Sequence, residues 1–148
     1  AVIDEDGNIY FGTKKGETTG SVFYCLNSSG SENWKVNFDL DESYGSPEIL
    51  STPVLGADGT SYIPVSTGYL YAFNSDGSEK FKKAVNTDDE SDLWDQAMWS
   101  SPALGDDGIL YYGDYAGNFY AVLVSDQGLA SSDWPMKSQN NRHTGLAK

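Results

Sequence analysis

The stretches "STPVLGADGTSYIPVSTGYLYAF" (Ser51–Phe73) and "SSPALGDDGILYYGDYAGNFYAV" (Ser100–Val122) are two copies of one pattern. Setting Pro53 against Pro102 brings them into register without a gap, and Ser, Pro, Leu, Gly, Asp, Tyr and Ala recur at the same places. Self-similarity of this kind is the sequence signature of repeat architectures. The repeat is therefore the feature that decides the fold.

A further copy precedes these two. "AVIDEDGNIYFG" (Ala1–Gly12) aligns with the second copy through its Asp-Gly pair. After an insertion, "TKKGETTG", it resumes as "YCLNSSGSENW" (Tyr24–Trp34), which matches "YAFNSDGSEKF" (Tyr71–Phe81). The third copy continues to Trp134. The chain thus holds three units of about 50 residues, a period close to that of known propeller repeats.

Each unit predicts four short strands. A short apolar strand leads into an Asp-Gly turn, because Gly accepts positive φ, and two aromatic strands and a fourth strand follow. No window has a sustained apolar period of 3.6, so we expect little helix. We predict an all-β chain of the β-propeller type, with three four-stranded antiparallel blades that form a partial propeller or half of a closed ring. Within this single domain we place blade 1 at about 1–40, blade 2 at about 51–86, blade 3 at about 100–137 and a C-terminal tail at 138–148.

The repeated aromatic residues have a structural explanation. Bulky rings fill the space between neighbouring blades, and an indole N–H reaches a backbone carbonyl of the adjacent turn. We expect this role for Tyr62, Tyr71, Tyr111, Tyr120 and Trp34. The single cysteine, Cys25, lies in the apolar run "VFYCL", so a buried thiol without a disulfide partner is expected.

At these residues the chain resembles the PQQ-like, or quinoprotein-type, β-propeller repeat family, whose blades run in the sense SSP-x-L-G-x-DG, then LYA, then a closing Trp. The resemblance covers the chain from Ala1 to about Trp134. The tail "SSDWPMKSQNNRHTG" (Ser131–Gly145) is similar to a Trp-Pro-Met…His-Thr-Gly segment that bacterial members carry near a terminus. Fold is what such a resemblance implies most directly, because function depends on sites rather than on folds.

The resemblance implies three roles. Some members are quinone-dependent dehydrogenases, others resemble the scaffold lipoprotein of the outer-membrane barrel assembly machinery, and others are extracellular repeat proteins. The chain has no adjacent cysteine pair, and three blades do not make a full ring. We therefore expect a non-catalytic binding or scaffolding module of an extracytoplasmic bacterial protein, periplasmic, cell-surface or secreted. The alternative is the C-terminal fragment of a quinone (PQQ)-dependent dehydrogenase.

Three blades are fewer than the four to eight with which propellers usually close. They leave two apolar blade faces, and exposed faces of that kind signal an interface. One solution is that the chain is the C-terminal part of a larger propeller, and the other is that two chains form a six-bladed ring. We favour the first, because Ala1 begins where an inner strand should already be running.

The charge balance restricts the partners. With 22 acidic and 9 basic residues in 148, the formal net charge is −13, which disfavours nucleic acid and anionic membrane surfaces. No stretch approaches the ~20 apolar residues of a membrane-spanning helix. There is no nucleophile elbow and no phosphate loop, and one Cys with one His does not supply a zinc site. The chain is therefore predicted not to be an enzyme.

The connections from a fourth strand to the next first strand are the candidate binding loops. "NFDLDESYGSPEIL" (Asn37–Leu50) and "NTDDESDLWDQAMW" (Asn86–Trp99) are long, acidic and aromatic, and loops on a rigid scaffold commonly carry binding sites. We expect them to present rings and carboxylates to a protein or carbohydrate partner; the residues are Tyr44, Trp94, Trp99, Asp88, Asp89 and Asp95. The alternative is that Trp94 and Trp99 fold back over the blade edge.

Two further features bear on the site. Tyr112, Asp114 and Tyr115 differ from their repeat partners, and we add Tyr115 to the binding residues. No cofactor is predicted; the alternative is a calcium ion at residues 86–96, where five acids crowd one connection. The run "DEDGN" (Asp4–Asn8) is interpreted as a turn, because the same Asp-Gly turn occurs in the other two copies.

Overall fold

The computed structural model describes residues 1–14, 16, 20–39, 47–84, 98–124 and 128–145. Strands form three antiparallel sheets, each in chain order. The first contains β1 (Val2–Ile3), β2 (Ile9–Gly12), β3 (Ser21–Leu26) and β4 (Glu32–Phe38). The second contains β5 (Val54–Leu55), β6 (Ser61–Val65), β7 (Tyr69–Phe73) and β8 (Glu79–Ala84). The third contains β9 (Ala103–Leu104), β10 (Ile109–Gly113) and β11 (Phe119–Leu123).

The predicted fold class is confirmed: the chain is all-β and propeller-like, built of three antiparallel sheets, and the described residues contain no helix. The Asp-Gly turns form the first hairpin of every sheet, with φ of 80° at Gly7, 81° at Gly59 and 75° at Gly108. In each turn the Gly N–H donates to the carbonyl three residues earlier. A left-handed backbone at this position explains why each copy keeps Gly there.

The sheets pack face to face, with the second sheet in the middle. One apolar cluster joins the first and second sheets, and another joins the second and third. All five residues of β6 are buried, because both faces of the second sheet are covered. A strand buried on both faces reads as a continuous apolar run rather than an alternating one.

Each sheet has two distinct faces, and successive side chains along a strand point to opposite faces. In the first and second sheets, we call the face directed toward the next sheet along the chain the forward face and the opposite face the backward face. The faces of the third sheet are named by their equivalent repeat positions. The forward face of the second sheet consists of Val54, Tyr62, Leu70 and Ala72, which pack toward the third sheet. Its backward face consists of Leu55, Ile63, Tyr71 and Phe73. This face packs against the forward face of the first sheet, which consists of Val2, Tyr10, Phe23 and Cys25.

The third sheet differs from the prediction. Among the described residues it has three strands, and the expected fourth strand is not found there. Residues 128–136 instead lie along the first strands of the other two sheets. Leu55 N–H donates to Pro135 O at 2.9 Å, Ala130 N–H donates to Leu55 O at 2.9 Å and Ile3 N–H donates to Trp134 O at 2.8 Å. These bonds pair the backbone of the segment with β1 and β5, so residues 128–136 do not extend the third sheet.

Most of the repeated aromatic residues lie between sheets, as expected. Tyr62 and Tyr71 are buried, Tyr120 packs against the second cluster, and Trp34 packs against the first. The predicted indole contact is confirmed, because Trp34 Nε1–H donates to Ser75 O at 2.8 Å across the boundary between the first two sheets.

Tyr111 and Cys25 have different outcomes. Tyr111 does not lie between sheets: it sits on the forward face of the third sheet, stacked on Phe119, and no described sheet packs against that face. The expectation for Cys25 is confirmed, because the thiol is free and buried.

Candidate binding site

Two of the predicted binding residues, Trp99 and Tyr115, meet at one end of the third sheet. Their ring centroids are 4.8 Å apart and the ring planes are inclined by 53°. The Trp99 side chain is 48% exposed and the Tyr115 side chain is 63% exposed. The two rings therefore contact each other and still present aromatic surface to solvent.

Local hydrogen bonds fix the backbone beneath both rings. Ser100, which follows Trp99, donates from Oγ to Gly113 O at 2.7 Å and accepts from Gly113 N–H at 2.8 Å. Tyr115 lies in the turn that joins β10 to β11, where Asp114 Oδ1 accepts from Asn118 N–H at 2.8 Å. Because each aromatic residue is adjacent to an anchored residue, the site is held on the sheet rather than on a long free loop.

The repeat shows that these aromatic rings are not needed for the turn itself. In the second copy, the positions of Trp99 and Tyr115 are occupied by Leu50 and Ser66. There, Ser66 Oγ accepts from Glu48 N–H at 2.8 Å and Ser66 N–H donates to Glu48 O at 2.9 Å. The second sheet thus uses the position for a local hydrogen bond, whereas the third sheet places an exposed tyrosine there.

Asp114, by contrast, differs from its repeat partner for a structural reason. Its Oδ2 accepts from Tyr120 Oη at 2.7 Å and from Asn118 Nδ2 at 2.8 Å. Although partial burial raises the pKa of Asp114, the hydrogen bonds from Tyr120 and Asn118 outweigh it and hold that pKa below its usual value. Burial, together with the bond to Asp114, raises the pKa of Tyr120 to about 12.

The same arrangement occurs in the first hairpin of the chain. Asp4 Oδ1 accepts from Asn8 N–H at 2.8 Å, and Asp4 Oδ2 accepts from Asn8 Nδ2 at 2.8 Å and from Tyr10 Oη at 2.9 Å. The carboxylate of Asp4 is thus occupied by hairpin donors, which supports interpreting "DEDGN" as a turn. Both hairpins share the pattern D-x-x-G-N-x-Y, in "DEDGNIY" and "DYAGNFY", a sequence signal that the alignment of the repeats did not use.

Tyr112 is the remaining departure from the repeat. It replaces Ile63 of the second copy and stacks on Tyr120 with centroids 5.5 Å apart. Its hydroxyl is buried and has no hydrogen-bond partner among the described residues. Burial, with a smaller contribution from the Tyr120 phenol, raises the pKa of Tyr112 well above its usual range. Tyr112 belongs to the packing between the second and third sheets rather than to the exposed aromatic pair.

The structure also contains a cavity that the sequence did not indicate. It has a volume of about 730 Å³ and lies between the first Asp-Gly turn and the C-terminal segment. Asp4 and Glu5 line one side, and Asp133, Gln139 and Arg142 line the other. The repeat assigned residues up to about 137 to the third blade, so it did not indicate that residues 129–133 and 135 line this cavity.

The other predicted binding residues, Tyr44, Trp94, Asp88, Asp89 and Asp95, lie outside the described residues, as does the candidate calcium segment 86–96. Among the residues that the structure describes, no three His, Cys, Asp or Glu side chains are grouped so as to hold a metal ion. The described part of the chain also has no helix long and apolar enough to cross a membrane.

Comparison with known proteins does not assign the chain to a family. No protein-family model matches it, and no curated protein is significantly similar to it.

Proposed function

We propose that the chain is a non-catalytic binding or scaffolding module of the PQQ-like propeller type, which holds a protein partner through Trp99 and Tyr115. Localisation outside the cytoplasm of a bacterium is part of the same proposal and rests on the resemblance of the repeat. The observation that carries the proposal is the pair of exposed, mutually contacting aromatic rings. Tryptophan and tyrosine are the residues most enriched among those that dominate protein-binding energy.

The geometry supports a protein partner better than a sugar. A sugar ring stacks best on a flat aromatic platform, whereas these two rings are inclined by 53° and form a wedge-shaped surface. A side chain or a bend of a polypeptide fits such a surface. The anchored backbone at Gly113 and Asp114 keeps the wedge in place, so little ordering is needed when a partner binds.

The charge of the chain selects among protein partners. The formal net charge is −13, and the connection that precedes Trp99 is acidic. Complementary charge speeds encounter and disfavours wrong partners more than it adds affinity. We therefore propose a basic, partly apolar polypeptide segment as the partner, with the aromatic pair supplying the apolar contact.

Selection from random peptides tests the proposal, because it requires only the chemical class of the partner. A displayed peptide library is selected on the wild-type chain, and the enriched peptides are then tested for binding to the double variant Trp99→Ala, Tyr115→Ala. We expect enrichment of basic peptides that bind the wild type and not the double variant. The matched control is Leu50→Ala at the equivalent position of the second copy, which should keep binding. Enriched peptides that bind the double variant equally well, or enrichment on a glycan array and not in the peptide library, would overturn the proposal.

A further inference from the structure

We propose that two copies of this chain associate head to tail, with the forward face of the third sheet of one copy docking on the backward face of the first sheet of the other. The two contacts close a ring of six sheets. This is the second of the two solutions that the sequence left open, the one not favoured there. The inference rests on the packing between sheets within the chain and is independent of the proposed function of the aromatic pair.

The forward face of the third sheet is apolar, and no sheet among the described residues packs against it. Phe119 is 73% exposed and Leu123 is 78% exposed, and Tyr111 stacks on Phe119 with centroids 5.9 Å apart. Ala121, opposite Tyr111 in the sheet, is exposed as well. A strand face of this composition is normally buried.

The repeat identifies what this face is built to contact. Tyr111, Phe119 and Ala121 stand at the positions of Tyr62, Leu70 and Ala72. Those three residues are fully buried, because the third sheet packs on them. The forward face of the third sheet is therefore equivalent to the forward face of the second sheet, which packs against the backward face of the third sheet.

A matching backward face is present on the first sheet. Phe11 and Tyr24 stack on its outer side with centroids 5.3 Å apart, and both are half-buried. They stand at the positions of Ile63 and Tyr71, which pack against the first sheet from the second.

Charged side chains at the edge of these two backward faces also correspond. Lys82, opposite Tyr71 in the second sheet, lies over the Tyr69 ring with its Nζ 4.1 Å from the centroid. Lys35 is opposite Tyr24 in the first sheet and forms a salt bridge with Glu32 at 3.1 Å. A basic residue at the edge of a backward face is thus compatible with burial of its aromatic centre, as the second sheet shows.

A second copy of the chain supplies a partner for the forward face of the third sheet and for the backward face of the first sheet. Among the described residues, no sheet packs on the forward face of the third sheet or on the backward face of the first sheet. Two copies can therefore make two identical contacts related by a two-fold axis. Six sheets lie within the four to eight with which propellers close. Closure removes both uncovered faces at once, whereas a forward face docked on another forward face would leave the first sheet exposed.

The solution mass of the 148-residue chain tests the proposal. The monomer mass is 16.1 kDa, and we expect sedimentation velocity to report twice this mass at micromolar concentration. Phe119→Glu blocks the forward face and Tyr24→Glu blocks the backward face, so each variant alone should be monomeric. Ala57→Glu, in an exposed turn away from both faces, adds the same charge and should leave the dimer intact.

Mixing the two blocked variants makes the test specific for head-to-tail contact. An equimolar mixture retains one unmodified forward face against one unmodified backward face, so it should form dimers that neither variant forms alone. Near-ultraviolet circular dichroism checks that each variant is folded, and Phe119→Ser with Tyr24→Ser replaces the pair if either glutamate prevents folding. A monomeric wild type at about 100 µM, a dimer of Tyr24→Glu alone, or a mass that grows beyond the dimer with concentration would overturn the proposal.

Discussion

The Tyr120 hydroxyl donates a hydrogen bond of 2.7 Å to Asp114 Oδ2, and this contact ties β11 to the turn that carries Tyr115. The same contact, at 2.9 Å, joins Tyr10 to Asp4 in the first hairpin. Two hairpins at different places in the repeat thus use one carboxylate in the same way. The function of Asp114 is to hold the turn on which the candidate site depends.

Removing the Asp114 carboxylate should loosen this turn. We expect Asp114→Asn to lower the free energy of unfolding by about 1 kcal/mol, because hydrogen bonds to a partly exposed charged group are replaced by weaker ones. Asp107→Asn is the matched control, because Asp107 is an exposed turn residue that accepts from Ile109 N–H at 3.1 Å; it should change stability by a few tenths of a kcal/mol. Urea denaturation measures both, and equal losses would contradict the assigned role.

Acid should remove the contribution of Asp114. Its pKa is lower in the folded chain than its ordinary value of 3.8, so its contribution is complete above that value and is lost as the pH falls through the folded pKa. Wild type and Asp114→Asn should therefore differ in unfolding free energy at pH 6 and converge below the folded pKa. Urea midpoints measured between pH 6 and pH 2 check this, and a constant difference over the whole range would refute it.

At high pH, ionisation of Tyr120 should lower the free energy of unfolding. Its pKa is raised from 10.0 to about 12 on folding, so its contribution to stability is complete below pH 10 and is lost as the pH rises to about 12. Absorbance at 295 nm should show late ionisation of Tyr120, and Tyr120→Phe should remove one late-titrating group. The reverse outcome, loss of an early-titrating group in Tyr120→Phe, would contradict the assigned hydrogen bond.

Gly77 and Gly30 occupy the same turn in two copies and differ in their surroundings. Both have positive φ, 84° and 83°, but a Cβ on Gly77 would lie 2.7 Å from Trp34 Cδ2, whereas a Cβ on Gly30 would meet nothing within 4 Å. Gly30→Ala should cost about 1 kcal/mol for the left-handed backbone alone. Gly77→Ala should cost at least about 1 kcal/mol more, because the Trp34 ring must move. Thermal denaturation compares the two, and equal costs would show that Trp34 does not pack on this turn.

Met136 tests the path of the C-terminal segment. Its side chain is fully buried in the cluster between the second and third sheets, although it lies more than ten residues beyond β11. Met136→Ala should destabilise the chain by about 2–5 kcal/mol through the cavity that it leaves. The adjacent Lys137→Ala, at an exposed position, is the control and should be nearly neutral. A neutral Met136→Ala would place the segment in solvent rather than against the sheets.

The repeat made most of the fold predictable. Aligned Asp-Gly pairs located the hairpins, and the aromatic positions located the packing between sheets, because both depend on local pattern and recur in each copy. The path of residues 128–136 was not predictable, since its bonds to β1 and β5 join residues far apart in sequence. Tyr111 was placed between sheets by analogy with Tyr62, but it is only half-buried, because no sheet among the described residues packs on its face.

The candidate site was predictable only in part. Trp99 and Tyr115 were identified separately, one as a loop aromatic and the other as a departure from the repeat. Their contact follows from the hydrogen bonds between Ser100 and Gly113, which join the two segments at the end of the sheet. Side-chain contacts of this kind depend on register, and a one-residue shift would have separated the rings.

The affinity of a selected basic peptide for single variants tests whether Trp99 and Tyr115 form the binding site. We predict that Trp99→Ala and Tyr115→Ala each weaken binding at least about tenfold, because both rings supply the apolar contact. Both should change the free energy of unfolding by less than about 1 kcal/mol, because about half of Trp99 and more than half of Tyr115 are exposed. Leu50→Ala, the equivalent position in the second copy, should leave the affinity unchanged. Unchanged affinity in Trp99→Ala and Tyr115→Ala, with the fold intact, would contradict the account.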